Sequence, residues 1–98
     1  MKRVRLLRRA VIEARGASDW YEVRDPKVAD NFRDALDETI ERIATFAGIG
    51  SSWPGEPSLR RALLRGFPYS VVYEDAADEV IVLAVAHDKQ KPGYWRDR

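Results

Sequence analysis

The chain has 98 residues, a formal net charge of +1 and 34% charged residues, a length that predicts one domain over residues 1–98 with a modest core. The sequence has no cysteine and one histidine, which excludes disulfides, thiolate metal sites and a histidine-rich zinc site. No apolar run approaches the roughly 20 residues of a membrane span. We therefore expect a cytoplasmic protein with no metal, no cofactor and no membrane partner.

Two helices are predicted after a short N-terminal strand at Val4–Leu7. In the first helix, apolar residues recur at intervals of three and four, namely Ala10, Ala14, Ala17 and Tyr21. Asp25 and Pro26 break this helix and suit the N-cap and first position of the next. The second helix has the clearest stripe, formed by Val28, Phe32, Leu36, Ile40, Ile43 and Ala47, and Gly48 is predicted to end it.

Three strands are predicted in the second half of the chain, at 59–65, 67–74 and 79–87, with a polar turn at 75–78. The Gly- and Pro-containing segment 48–58, which includes Trp53, reads as a loop. Both faces of the last strand are apolar, with one face formed by Ile81, Leu83, Val85 and His87. Such a strand is expected inside the sheet. The predicted fold is α+β, with an N-terminal strand, an αα-hairpin and a three-stranded antiparallel meander in two layers.

The C-terminal third carries a family resemblance. Its motifs are Phe67-Pro68-Tyr69, Val72-Tyr73, His87 after an apolar strand, and Pro92-Gly93-Tyr94-Trp95-Arg96. With the layout of the two helices, they resemble the RelE/ParE toxin superfamily of bacterial type II toxin–antitoxin modules. The resemblance implies a small α+β toxin that a cognate antitoxin neutralises in a toxin–antitoxin hetero-oligomer. ParE-like members poison DNA gyrase, whereas RelE-like members cut mRNA on the ribosome.

The distribution of lysine favours the ParE-like branch. No lysine occurs between Lys27 and Lys89, whereas RelE-like members carry a lysine-rich segment in the middle of the chain. RNA cleavage stays open, because some nucleases of the superfamily rely on arginine and histidine.

An arginine cluster on the predicted strand 59–65 is a candidate phosphate-binding site. Arg61 and Arg65 are expected on one face of the strand and Arg60 on the other. Two guanidinium groups on one face can hold a phosphate or stabilise a phosphorane. They can equally contact an acidic antitoxin, or serve only as charges that keep an edge strand from pairing.

His87 and the C-terminal tail form the second group of candidates. A histidine can act as general base on a ribose hydroxyl or as general acid to the leaving oxygen, or it can hold the strand exit by a hydrogen bond. Basic and aromatic side chains interleave in the tail, and they can stack on bases and contact phosphates; they are Lys89, Lys91, Tyr94 and Arg96. Alternatively, Tyr94 and Trp95 anchor the tail by covering the sheet edge.

Three functions fit these observations. The first is a ParE-like toxin that binds DNA gyrase and needs no catalysis. The second is a ribosome-dependent mRNA endoribonuclease with His87, Arg61, Arg65 and Lys89 at the phosphate and Tyr94 on the base or in a proton relay. The third is an inactive homologue that survives as an antitoxin-binding corepressor.

Overall fold

The computed structural model describes residues 1–90 and 93–96, with the side chain of Arg96 left out. The elements in chain order are β1 (Arg3–Leu6), α1 (Arg8–Arg24), α2 (Pro26–Thr45), β2 (Ser51–Trp53), β3 (Glu56–Leu63), β4 (Tyr69–Asp75) and β5 (Glu79–His87), with short 3₁₀ turns at Ala47–Ile49 and Tyr94–Arg96. The five strands form one sheet in the order β1-β5-β4-β3-β2. The α+β prediction is therefore confirmed. No helix of the described residues is long and apolar enough to cross a membrane.

The junction between the helices follows the sequence signal closely. Asp25 is extended, its backbone N–H donates to the Tyr21 carbonyl 2.7 Å away, and its side chain accepts from the Lys27 N–H at 3.0 Å. Pro26 then occupies the first turn, where its missing N–H costs nothing. The C-terminal end of α2 differs from the prediction. The helix ends at Thr45 rather than at Gly48, and the backbone of Phe46 is already non-helical, with φ −145° and ψ 88°.

Strands β2 to β5 form a continuous antiparallel meander. The predicted three strands correspond to β3, β4 and β5, and the short strand β2 within the predicted loop was missed. Strand β1 lies parallel to β5, with Arg3 opposite Glu79 and Leu6 opposite Val82. The two helices connect β1 at one edge of the sheet to β2 at the other edge, and both pack on one face of the sheet.

A β-bulge in β5 changes which side chains share a face. Tyr73 of β4 pairs with Val82, whereas its neighbour Val72 pairs with Ala84, so the register shifts by one residue at Leu83. An extra residue shifts the two-residue alternation by one position. Val82 and Val85 therefore both face the helices, while Leu83 packs on the opposite side. The predicted common face of Ile81, Leu83, Val85 and His87 is wrong for this reason.

The sheet is covered on both faces, by different parts of the chain. The core on the helix side contains Phe32, Ile43, Val71, Tyr73, Val80 and Val82. On the other face, Trp95 packs with Leu59, Val72, Ala84 and Ala86. Trp95 is only 5% exposed, and its ring meets that of Trp53 edge to face at 4.9 Å. The C-terminal 3₁₀ turn thus covers a sheet face, whereas the sequence predicted that Trp95 covers the sheet edge.

The Tyr73 hydroxyl ties the connection after α2 to the centre of the sheet. It donates to the Ala47 carbonyl at 2.6 Å and accepts from the Gly50 N–H at 2.9 Å. A Cβ at Gly50 would lie 2.6 Å from this hydroxyl and 2.9 Å from the Arg61 carbonyl oxygen. Position 50 therefore requires glycine because the tyrosine and the neighbouring strand approach so closely.

Candidate functional site

The three predicted arginines lie in three different environments. Arg60 is half-buried, and its guanidinium donates to the Gly50 carbonyl at 2.8 Å, so it supports the loop before β2. Arg65 follows the end of β3 at Leu63, and its Nη1 lies 3.3 Å from Glu38 Oε1 of α2. The prediction that Arg61 and Arg65 share a face is wrong. It required the strand to continue to residue 65, whereas the turn after residue 63 brings Arg65 to the helix side.

Arg61 is the exposed arginine of β3 on the face opposite the helices. Within residues 1–90 and 93–96, its guanidinium makes no hydrogen bond and no ion pair. It borders a cavity of about 50 Å³ together with His87, Tyr94 and Trp95. Three of the four predicted catalytic residues therefore border one cavity. Its volume is comparable to that of one or two water molecules, so no nucleotide fits there while Trp95 is in place.

His87 is the last residue of β5, and most of its polar atoms make hydrogen bonds. Its ring lies edge to face with Tyr69, with ring centroids 4.9 Å apart. Its Nδ1 accepts the Lys89 N–H at 3.0 Å, and its backbone N–H donates to the Gln90 side-chain oxygen at 2.8 Å. Nε2 is therefore the nitrogen available for a proton transfer. Lys89 itself is exposed beside the histidine.

Glu13 of α1 is a functional candidate that sequence reasoning missed. Its Oε1 accepts the Val85 N–H of β5 at 3.1 Å, and its Oε2 accepts the hydroxyl of Tyr94. Arg9, one helical turn earlier, places its Nε 3.6 Å from Oε2 and its guanidinium carbon 5.1 Å from the centre of the Tyr94 ring. Glu13 thus joins α1, β5 and the C-terminal turn. In the sequence it is only an acidic residue four positions after an arginine.

A cleft of about 620 Å³ lies beside this carboxylate, between α1 and the ends of β4 and β5. Its walls include Gly16, Trp20, Tyr69 and His87. Trp20 is 52% exposed, and the Arg24 guanidinium carbon lies 3.6 Å from the centre of its ring. Burial is the main cause of the raised pKa of Tyr69, so this phenol stays neutral in the physiological range.

Two of the predicted binding residues cannot be placed. Lys91 and the side chain of Arg96 lie outside the described residues. Tyr94 is half-buried, and its hydroxyl points to Glu13 of α1. Among the described residues, no three histidine or acidic side chains are grouped as metal ligands.

A family model described as the ParE toxin of the type II toxin–antitoxin system parDE matches residues 4–92. The chain belongs to the ParE toxin family. A solved structure titled chromosomal ParDE TA system from P. aeruginosa has the same fold as this ParE family member. The TM-score is 0.74 at 21% identity, and the match covers 89% of this chain and 96% of that one. No curated protein matches this ParE family member by sequence. The predicted membership in the RelE/ParE superfamily, on its ParE-like branch, is confirmed.

Proposed function

We propose that this chain is the toxin of a type II toxin–antitoxin pair and that it stops growth by binding DNA gyrase without cutting RNA. A cognate antitoxin holds it inactive. The ParE family match over residues 4–92 supports the toxin role. The choice of binding over cleavage is supported by the arrangement of the candidate catalytic side chains.

The observation that carries the proposal is the covered sheet face around Arg61. An RNA-cleaving site needs an acid and a base on either side of a phosphate that both can reach. Here the cavity that Arg61, His87 and Trp95 border has a volume of only about 50 Å³. The Tyr94 hydroxyl is bonded to Glu13, and Arg65 stands beside α2. Cleavage would require the C-terminal turn to leave the sheet, whereas binding requires only an ordered surface.

Arg61 and Leu63 form the centre of the proposed gyrase-binding surface. They are two residues apart on β3, so their side chains project from the same face of the strand. Leu63 is 58% exposed, and Arg61 is exposed with no hydrogen bond or ion pair to another described residue. Arginine is enriched among the residues that dominate protein interfaces.

A gyrase supercoiling assay with the purified toxin tests the binding surface. Arg61→Ala is expected to raise the inhibitory concentration at least about tenfold, the effect of losing about 1.4 kcal/mol of binding free energy. Arg65→Ala is the matched control, because it removes another exposed arginine, one that lies on the helix side beside Glu38. Equal potency of Arg61→Ala and the parent would contradict the assigned surface. No inhibition by the parent chain would contradict the gyrase target.

Inducible expression in cells separates the three functions. We expect SOS induction and loss of supercoiling, and we expect His87→Ala to remain toxic. Rapid translation arrest with codon-linked mRNA cuts that disappear in His87→Ala would instead identify an endoribonuclease. A chain that binds its antitoxin tightly but leaves growth unchanged would be a corepressor.

A further inference from the structure

A row of apolar residues runs along the solvent-facing side of α1. Ile12, Trp20 and Val23 are 58%, 52% and 85% exposed, and Gly16 is exposed between them. At 3.6 residues per turn, positions spaced by four, four and three residues lie within about 80° of the helix surface. The core-facing residues of α1 lie on the other side of the helix. This row, the outer stripe, has the character of a surface that binds another protein.

Gly16 stands in the middle of the outer stripe and lets another helix come close. A Cβ added there would meet no described atom within 4 Å, so the space over the backbone is open. Packed helices lie about 8–10 Å apart, and the side chains at the crossing set the distance. Ile12 and Trp20 lie four residues on either side of the glycine. In an antiparallel pair of two α1 helices centred on Gly16, Ile12 of one copy therefore lies opposite Trp20 of the other.

The charged residues beside the outer stripe are ordered so that the helix complements itself. Arg8 and Arg15 lie in its N-terminal half, and Asp19 and Glu22 lie in its C-terminal half. At 3.6 residues per turn, all four project from the same side of the stripe. In the antiparallel pair, Arg15 of one copy is offset by only about 3 Å along the axis from Asp19 of the other. The same offset separates Arg8 from Glu22, and two-fold symmetry makes each pair occur twice.

Three of these four side chains are available for pairing. Those of Arg8, Arg15 and Asp19 are exposed and make no hydrogen bond or ion pair with another described residue. Glu22 shares the guanidinium of Arg33 with Asp30. Exposed ion pairs contribute little affinity each, so apolar contact along the stripe supplies most of it. The charges select the antiparallel orientation, because like charges would face each other in a parallel pair.

We propose that two copies of this chain associate through antiparallel α1 helices that cross at Gly16. This inference goes beyond gyrase inhibition and does not depend on it. The order of the charges favours a second copy as the partner, because a two-fold interface uses the same surface twice and must complement itself. The contact involves one helix of each copy, so we expect a weak dimer with a dissociation constant on the order of 1–100 µM.

Exchange of two charges within one chain tests this pairing. Arg15→Asp brings two aspartates together across the interface, and Asp19→Arg brings two arginines together. The double variant R15D/D19R restores opposite charges at the same places. Asp78→Arg is the control for an added surface arginine, because Asp78 is exposed in the turn between β4 and β5. Sedimentation velocity, at concentrations on both sides of the expected dissociation constant, measures dimerisation of each purified variant, and circular dichroism checks that each is folded.

We expect each single reversal to weaken dimerisation at least about tenfold, because each substitution alters two symmetric pairs. R15D/D19R should recover the parent affinity to within about threefold, and Asp78→Arg should dimerise like the parent. A parent chain that stays monomeric would overturn the inference. A dimer that survives both single reversals forms through another surface, and a folded R15D/D19R that stays monomeric excludes the antiparallel register; either result also overturns it.

The antitoxin is the other protein that could cover the outer stripe. If the parent is monomeric alone and the amides of Ile12 to Val23 gain protection from exchange only with the antitoxin, the stripe is an antitoxin site and the inference is wrong. If dimerisation follows the charge exchange, the inference holds whether or not the chain inhibits gyrase. Failure of the gyrase assay and failure of the dimer assay are therefore distinguishable.

Discussion

Removal of the Tyr73 hydroxyl is a direct test of the connection between α2 and the sheet. Tyr73 is 0% exposed, and its hydroxyl bonds both the Ala47 carbonyl and the Gly50 N–H. Tyr73→Phe keeps the ring but leaves these two backbone groups without a partner in a buried place. Each unsatisfied buried group costs about 1–3 kcal/mol, so we expect a loss of about 2–4 kcal/mol of unfolding free energy. That is a large part of the roughly 5–15 kcal/mol typical of a domain.

Urea denaturation of matched variants measures this loss. Tyr21→Phe is the control, because its ring also packs in the helix-side core but its hydroxyl bonds to none of the described residues. We expect Tyr21→Phe to change the free energy of unfolding by less than about 0.5 kcal/mol. The slope with denaturant should stay constant for both variants. A Tyr73→Phe loss no larger than that of Tyr21→Phe would refute the structural role of the hydroxyl.

Three further perturbations follow from other parts of the fold. Burial raises the pKa of Tyr69 and is the first cause of the raised pKa of Tyr73. Stability should therefore be constant below the ordinary tyrosine pKa of about 10 and fall as pH rises through the folded values; urea titrations that show no such fall would contradict this. Asp25→Ala should cost about 1 kcal/mol by removing the N-cap of α2, and an unchanged thermal midpoint would exclude that cap effect. Trp95→Ala should cost about 3–5 kcal/mol and increase dye binding to the exposed sheet face, whereas unchanged stability would show that the turn is not packed there.

The helices were predicted well because the residues that end one helix and start the next are adjacent in the sequence. Asp25 and Pro26 mark a cap and a first helical position whatever the tertiary contacts are. The β2 strand was missed because its three residues lie between Gly50 and Pro54, and its pairing with β3 depends on the rest of the sheet. The bulge at Leu83 was likewise invisible, since register is set between strands and a uniformly apolar strand does not report it.

The candidate site was predicted less well because its residues are brought together by tertiary contacts. The sequence placed Arg65 beside Arg61 on the assumption of a longer strand, but β3 ends at Leu63. Arg60 was counted as a binding residue, although the Gly50 carbonyl uses its guanidinium. Glu13 reads as an ordinary helix-surface charge, and only the arrival of β5 and Tyr94 shows its role.

The parallel pairing of β1 with β5 joins two segments that are far apart in the sequence. Residues Arg3–Leu6 are synthesised long before their partner strand Glu79–His87. At synthesis rates of about 5–20 residues per second, several seconds pass between the synthesis of the helices and that of the last strand of the sheet on which they pack. An abortive translation product that stops before residue 79 leaves β1 unpaired and exposes the helix face. We therefore expect only chains that include β5 to fold stably.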